Sequence, residues 1–425
     1  MLIEEINVLA KESKNLEYKE MLSKSYLKTV SAYANFNDGV IVFGVTDDLK
    51  VVGLEDPNSV CLDIENQIND SIRPKPDFSL KVNDDKTVVL AVFKGLNTPY
   101  RYNGKCYKRN DTSTVEVDPL TENRLVLEGM NVHYEELPAK NQKLSFSFLG
   151  EKLKEALNLS EFNTDTLKSL NLFNKQGYNV AAELLADSND FLGLDIVVFG
   201  NNINEFKKRY VLDSQSLLKQ YFEALKIFED EYVIEKIDGG LRQRYELIPY
   251  EAFREVLANS IIHRTWDVKS STKIEMHKDK IVVSSPGGLM PEMSKEAFLK
   301  GRFSYLRNPI LANVFHRLNI VEVFATGIKR TFESYEGFQD KPSFDVTDSY
   351  VCVTLPIKNE ITLAKCEQAL LDKMSANGDY LRTDLERMTG FSKDKVIRVL
   401  NSLIEKNLII KTGNSRNTYY RKANG

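Results

Sequence analysis

Residues 26–45 read YLKTVSAYANFNDGVIVFGV, and the change of period inside this stretch decides the fold of the N-terminal part of the chain. Tyr26 to Asn35 predicts a helix, Asp38-Gly39 is a turn signal, and Val40 to Val45 is a short apolar run of strand length. Working outward, Leu16 and Tyr18 alternate with polar residues and predict a strand ahead of the helix. A second helix around Asp63 to Ser71 stops at Arg73-Pro74, because a residue before proline is pushed out of the α region. Strands Thr87 to Phe93 and Lys105 to Lys108 flank Asn103-Gly104, a hairpin-turn pair. Leu16 to Leu120 therefore reads as a mixed α/β domain.

A chain of 425 residues with 42% apolar and 28% charged side chains exceeds what one hydrophobic core serves, so several domains are expected. The expected class is α/β multidomain: an α+β domain over 1–130, a mostly helical connector over 131–245, an α/β sandwich over 246–358 and a small helical module over 359–425. In the connector, helices are predicted around Glu151 to Leu157, Thr164 to Leu170 and Ser214 to Phe228. The next segment has a long amphipathic helix (Pro249 to Ile262), two strands (Lys273 to Met276, Lys280 to Ser284) and a closing strand (Tyr350 to Leu355). The acidic N-terminal stretch and the lack of an apolar run of about 18 residues predict a cytoplasmic protein with no membrane partner. Cys61, Cys106, Cys352 and Cys366 lie far apart, which predicts free thiols and no structural metal.

The last 60 or so residues carry the clearest local reading. A helix over 362–375, a short helix from Arg382 to Thr389, a turn at Gly390, a helix from Ser392 to Lys406 and two strands make a winged helix-turn-helix. Ser392 is placed to cap the third helix, whose apolar stripe is Val396, Val399, Leu400, Leu403 and Ile404. The net charge of the chain is −4, yet Ser392 to Gly425 holds eight Lys or Arg against two acids, a balance of +6. Anionic partners are expected there. A recognition helix needs basic or amide side chains in its N-terminal half, and a wing needs a cation to reach phosphate. Lys393, Lys395, Arg398 and Arg416 fit those roles, and solvated charges on a protein-contact module fit the same pattern.

Four segments occur in order: Glu17-Tyr18-Lys19, Ser31 to Gly39, Phe43-Gly44-Val45-Thr46-Asp47-Asp48, and Tyr107 to Thr114. Together they resemble the Schlafen AlbA_2 family over roughly residues 12 to 125, which implies a nucleic-acid-binding α/β domain. The residues agree in part: Arg101, Lys105, Lys108 and Arg109 cluster in sequence with Tyr100, Tyr102 and Tyr107, a mix able to hold phosphates and stack bases. The resemblance also implies three carboxylates, Glu12, Glu17 and Asp47, that would hold Mn²⁺ or Mg²⁺ for phosphodiester cleavage, with Lys19 pairing the phosphate. Surface strands carry such acids for solubility as well.

The segment Pro249 to Arg264, followed by Ser285-Pro286-Gly287-Gly288-Leu289, Arg307-Asn308-Pro309 and Ala325-Thr326-Gly327-Ile328, resembles the histidine-kinase-like (GHKL) ATPase region of proteins described as RecG-like regulators. Glu255 and Asn259 are four apart and share a helix face. The resemblance implies that Glu255 orients water and Asn259 holds Mg²⁺, with Gly287, Gly288 and Gly327 letting backbone approach ATP. Arg264 is the expected phosphate contact, and His263 reads equally as a buried histidine. One departure stands out: Val283-Ser284-Ser285-Pro286 lacks the Asp that would receive the adenine amino group. The combined reading is a DNA-binding transcriptional regulator responsive to ATP. The alternative is a metal-dependent endonuclease acting on RNA or DNA in defence or stress, and the third is an oligomeric scaffold, with a two-fold dimer favoured.

Overall fold

In the computed structural model, residues 10–238, 241–290, 293–301, 305–322, 326–358, 364–375, 378–406, 408–413 and 418–423 are described. The chain divides into two units, Met1–Tyr134 and Glu135–Gly425.

The first unit is built on a four-stranded sheet of β1 (Leu16–Lys19), β2 (Gly39–Phe43), β3 (Phe78–Val82) and β4 (Val88–Val92), in the order β1-β2-β4-β3. β1 runs parallel to β2 and the other pairs are antiparallel. Every residue of β2 and β4 is buried, as expected of strands covered on both faces. Ile41, Phe43, Val88, Leu90 and Val92 face α1 (Tyr26–Phe36) and α2 (Pro57–Ser71), while Tyr18, Val40, Val42, Val89 and Ala91 form a second cluster on the opposite face. Because Glu17 lies opposite Ile41 in register, it belongs to the α1 side of the sheet. α1 is buried almost all round, with the hairpin β5 (Tyr107–Asn110) and β6 (Ser113–Glu116) also packed on it. Asn103 and Gly104 both have positive φ, 51° and 76°, the geometry of the predicted tight turn.

Three backbone clamps explain the Ser31 to Gly39 motif. Ser31 Oγ and Asn35 Nδ2 both donate to the Tyr100 carbonyl at 2.7 and 2.9 Å, and the Tyr100 N–H donates to Asn35 Oδ1 at 2.7 Å. One helical turn separates Ser31 from Asn35, so one face of α1 holds both polar groups of Tyr100. Gly39 lies under the ring of Tyr33, where a Cβ would stand 2.4 Å from ring atoms.

The second unit contains a six-stranded sheet. Its strands are β7 (Leu194–Phe199), β8 (Phe206–Leu212), β11 (Thr272–Met276), β12 (Lys280–Pro286), β13 (Ser343–Val346) and β14 (Tyr350–Pro356), in the order β8-β7-β11-β12-β14-β13. A separate hairpin, β9 (Val233–Asp238) and β10 (Leu241–Glu246), follows helix α5 (Leu217–Tyr232). The connector was expected to be mostly helical, yet it supplies β7 and β8 to this sheet. In β7 the buried Leu194, Ile196 and Val198 alternate with half-buried neighbours, a period-2 signal that is legible. β8 is an edge strand whose Phe206-Lys207-Lys208-Arg209 run is exposed, so it carries no apolar alternation to read. The predicted helices around Glu151, Thr164 and Ser214 correspond to α3 (Ser147–Leu157), α4 (Thr164–Ser169) and α5. α6 (Tyr250–Ile262) packs on the sheet and on α5, with the Phe228 and Phe253 rings stacked at 4.5 Å. α7 (Pro309–Arg317) and α8 (Gly327–Glu333) complete this part.

The C-terminal residues form α9 (Lys365–Leu371), β15 (Tyr380–Leu381), α10 (Arg382–Thr389), α11 (Lys393–Glu405), β16 (Ile409–Thr412) and β17 (Tyr419–Lys422), the strands ordering β15-β17-β16. Their own core is Leu370, Met374, Leu385, Val396, Val399, Leu400, Leu403 and Ile409. Among the described residues no helix is long and apolar enough to cross a membrane.

Candidate functional site

α6 delivers Glu255 and Asn259 one turn apart against the start of α8. A Cβ on Gly327 would stand 2.8 Å from both Glu255 Oε2 and Asn259 Nδ2, so any larger residue there would push the ends of these two side chains aside. Beside them opens a cavity whose apolar wall includes Val256, Val283, Ile328, Phe344 and Val353. Its polar side is Asn259, Ser260, His263, Ser285 and Arg307. Burial raises the Glu255 carboxyl above its ordinary range, opposed by the nearby Arg254 and Arg330 guanidinium groups at 3.3 and 3.7 Å. Enclosure, helped by the charge of Arg307, pushes His263 down to about 4, so its ring is neutral at pH 7.

Sequence reasoning missed Arg307. Its Nη1 donates to the His263 carbonyl at 3.1 Å and to Thr265 Oγ1 at 2.5 Å, and its Nη2 donates to the Gly288 carbonyl at 2.8 Å. Asn308 Nδ2 donates to the Ile262 and Arg264 carbonyls at 2.7 and 2.8 Å. The Arg307-Asn308-Pro309 block thus ties the end of α6 to the Gly287-Gly288 turn, and its place among the four ordered blocks was the signal that pointed to it. Gly287 has φ 101°, and a Cβ there would overlap Thr265 and Arg307. Arg264, expected against a phosphate, is placed elsewhere. It is buried, lies 4.0 Å over the Trp266 ring and donates to the Gly193 and Ser270 carbonyls. The chain turns at the end of α6, so the residue after His263 points toward the start of β7 and not into the cavity. Within the stretch where the resemblance calls for an Asp, Ser285 is buried and its hydroxyl donates to the Ser260 carbonyl at 2.7 Å.

In the first unit, Glu17 and Arg109 are both buried. Lys19 Nζ lies 2.8 Å from Glu17 Oε1, and Arg109 Nη1 lies 3.8 Å from the same oxygen. Glu12 Oε1 accepts from the Tyr18 N–H at 2.9 Å, and Asp47 is exposed in the turn after β2. Among the described residues no three acidic, histidine or cysteine side chains stand close enough to hold a metal ion. The expected convergence of Glu12, Glu17 and Asp47 is therefore not seen: Glu17 is drawn under α1 toward two cations while Asp47 faces solvent. The expected base-stacking tyrosines are also redirected. Tyr100, Tyr102 and Tyr107 belong to the core cluster around α1, because the segments that carry them pack against that helix. Arg101 pairs with Glu122 at 2.9 Å and Lys105 with Glu116 at 2.6 Å, whereas Lys108 and Arg109 line a small cavity with Lys14 and Tyr33.

In the C-terminal module Lys393, Lys395 and Arg398 are all exposed on the N-terminal half of α11, and Lys395 Nζ lies 4.0 Å over the Phe391 ring. Other cations of this module are tied up: Lys406 Nζ lies 2.6 Å from Glu367, and Arg421 makes a two-pronged contact with Asp379 at 2.6 and 2.8 Å. Ser392 occupies the N-cap position, but its hydroxyl makes no capping bond. Arg416 lies outside the described residues.

Residues 12–118 match the family model "Schlafen, AlbA_2", and residues 270–355 match the one described as "Putative ATP-dependent DNA helicase recG C-terminal". The chain carries a Schlafen AlbA_2 domain followed by an ATPase-like domain of the RecG C-terminal type. The second match begins after α6, so Glu255 and Asn259 fall outside it. A crystal structure of the DIP2311 protein from Corynebacterium diphtheriae shares the fold with a TM-score of 0.50 and 15% identity, over 96% of this chain and 95% of that one. No curated protein matches the chain.

Proposed function

We propose that the chain is a nucleic-acid-binding regulator whose C-terminal module is a winged helix that docks α11 on DNA. The observation carrying this reading is the exposed cationic half of α11, Lys393, Lys395 and Arg398, in contrast to Lys406 and Arg421, whose charges are already met by carboxylates. Phosphate contacts by unpaired cations give affinity through counterion release, and the N-terminal half of a recognition helix is where base edges are reached. The helix-strand-helix-helix-strand-strand order supports the winged-helix assignment, and the Schlafen AlbA_2 and RecG-type matches support a nucleic-acid-associated role.

ATP with Mg²⁺ is the tuning ligand in this reading. The glycine at 327 leaves Asn259 uncovered at the cavity edge, and the apolar wall suits a base. Asn259 would hold the metal ion, while Gly287, Gly288 and Gly327 would let backbone approach the phosphates. Glu255 would orient water. Nucleotide binding changes nucleic-acid affinity only by its differential interaction with two arrangements of the protein.

The test is gel retardation of labelled duplex DNA and folded RNA by the full chain across a salt series. Substituting Lys393, Lys395 and Arg398 together by Ala should weaken binding and shrink the log-log salt slope by about 2 to 3, given roughly 0.9 per phosphate contact. Unchanged affinity and slope would remove α11 from the interface. The same gels run with Mn²⁺ or Mg²⁺ read cleavage, for which Glu17→Gln is the control of the endonuclease alternative.

A further inference from the structure

The cavity beside α6, α8 and β12 has a largely apolar wall, and what its polar groups offer decides which base it accepts. A side chain selects one base over another when its polarity is fixed, because the wrong base then leaves a buried group unpaired. Carboxylates only accept and guanidinium groups only donate, whereas hydroxyls and a neutral imidazole do both. Among the described residues that line this cavity there is no Asp or Glu. Glu255, one helical turn before Asn259, does not line it, and one of its oxygens faces Arg254 and Arg330 at 3.3 and 3.7 Å. The cation on the wall is Arg307, whose Nη atoms already donate to the His263 and Gly288 carbonyls and to Thr265 Oγ1.

The other polar groups on the wall are spent or ambivalent. The hydroxyls of Ser260, Ser285 and Thr331 donate to the Leu257, Ser260 and Gly327 carbonyls at 2.7, 2.7 and 2.8 Å. The Gly287 N–H is committed as well, to the Ser349 carbonyl at 2.8 Å. The neutral His263 ring carries one donor and one acceptor, and a change of tautomer exchanges them. The Tyr305 hydroxyl, on a side chain that is 44% exposed, donates or accepts by rotating. Adenine carries an amino donor where guanine carries a carbonyl acceptor. Groups able to meet either polarity exert no choice between the two.

We propose that this cavity takes purine nucleoside triphosphates without selecting adenine, so that GTP is a ligand equal to ATP. The ligand class rests on the nucleotide reading of the cavity and widens it. Affinity then comes from ring area laid against the apolar wall and from the triphosphate with its Mg²⁺, features that ATP and GTP share. A regulator built this way responds to the triphosphate and is indifferent to which purine carries it.

The experiment is calorimetric titration of the full chain with ATP, GTP and ITP, each with Mg²⁺. The three dissociation constants should agree within about fivefold, the factor that one net hydrogen bond is worth. Ser285→Asp sets an acceptor-only group on the β12 wall and should separate ATP from GTP by about tenfold, equivalent to about 1.4 kcal/mol. Ser285→Asn, equal in size but ambivalent, should keep them together, and melting curves show whether each variant retains the fold. A gap wider than about fivefold between ATP and GTP in the wild type would overturn the proposal and leave the nucleotide reading in place. A folded Ser285→Asp that treats the two alike would overturn it by placing the base away from β12. Binding of none of the three by the wild type would overturn the nucleotide reading together with it.

Discussion

Asn35 shows how a motif residue that looks available for binding is used up by the backbone. Its amide gives one bond to the Tyr100 carbonyl and takes one from the Tyr100 N–H, which fixes the segment ahead of the hairpin β5–β6. Asn35→Ala leaves the Tyr100 N–H buried without a partner, while its carbonyl keeps Ser31. A buried group left unsatisfied costs about 1–3 kcal/mol, and the lost bonds and packing add to it. The expected fall in stability is about 2–4 kcal/mol, read from urea unfolding of the first unit's transition within the full chain. A change below about 0.5 kcal/mol, the scatter of surface substitutions, would mean that the Tyr100 backbone finds solvent instead.

At the scale of the element, α11 has two faces that the sequence separates cleanly. Leu400 is 1% exposed inside the C-terminal core, and Ile397 on the same helix is 36% exposed beside the cations. Leu400→Ala should destabilise this module by about 2–5 kcal/mol, as large-to-small core changes do, whereas Ile397→Ala should leave it nearly unchanged. Hydrogen exchange of α10 and α11 amides measures both, and equal effects would mean that the helix presents a different face to its core. This stripe was legible because three- and four-residue spacing maps directly onto a helix face. The α1-β2 reading around Asp38-Gly39 was legible for the same kind of reason. Long-range placement was not. Nothing in the spacing of Arg264 says that the chain turns its side chain toward Gly193, and nothing local in Arg307 says that it reaches the Gly288 carbonyl. The tyrosines at 100, 102 and 107 misled because a side chain of an extended segment faces core or solvent according to what packs against it, and α1 packs against this one.

At the scale of the molecule, two ionisable groups of the second unit, the buried Glu135 and the half-buried His263, set opposing responses to pH. Glu135 accepts from the Ile310 and Leu311 N–H groups at the start of α7, and burial nevertheless raises its carboxyl from 4.5 to about 7. Between those values the folded form keeps a proton that the unfolded chain has lost, so stability falls as pH rises through this window. His263 is shifted the other way, from 6.5 down to about 4. Between pH 4 and 6.5 the unfolded chain holds the extra proton, so stability rises with pH and is lost on acidification. The windows nearly coincide and the slopes oppose, which flattens the wild-type response. Glu135→Gln should remove the falling contribution and leave a profile that climbs relative to wild type from pH 5 to 6.5. His263→Gln should do the reverse and decline relative to wild type over the same range. Thermal unfolding of the three proteins at fixed ionic strength checks this, and differences between profiles are the quantity to read, since every other titrating group is common to all three. Parallel profiles would show that neither group keeps a perturbed proton affinity in the folded protein; divergence of Glu135→Gln alone would mean that His263 is reached by water through the cavity it lines.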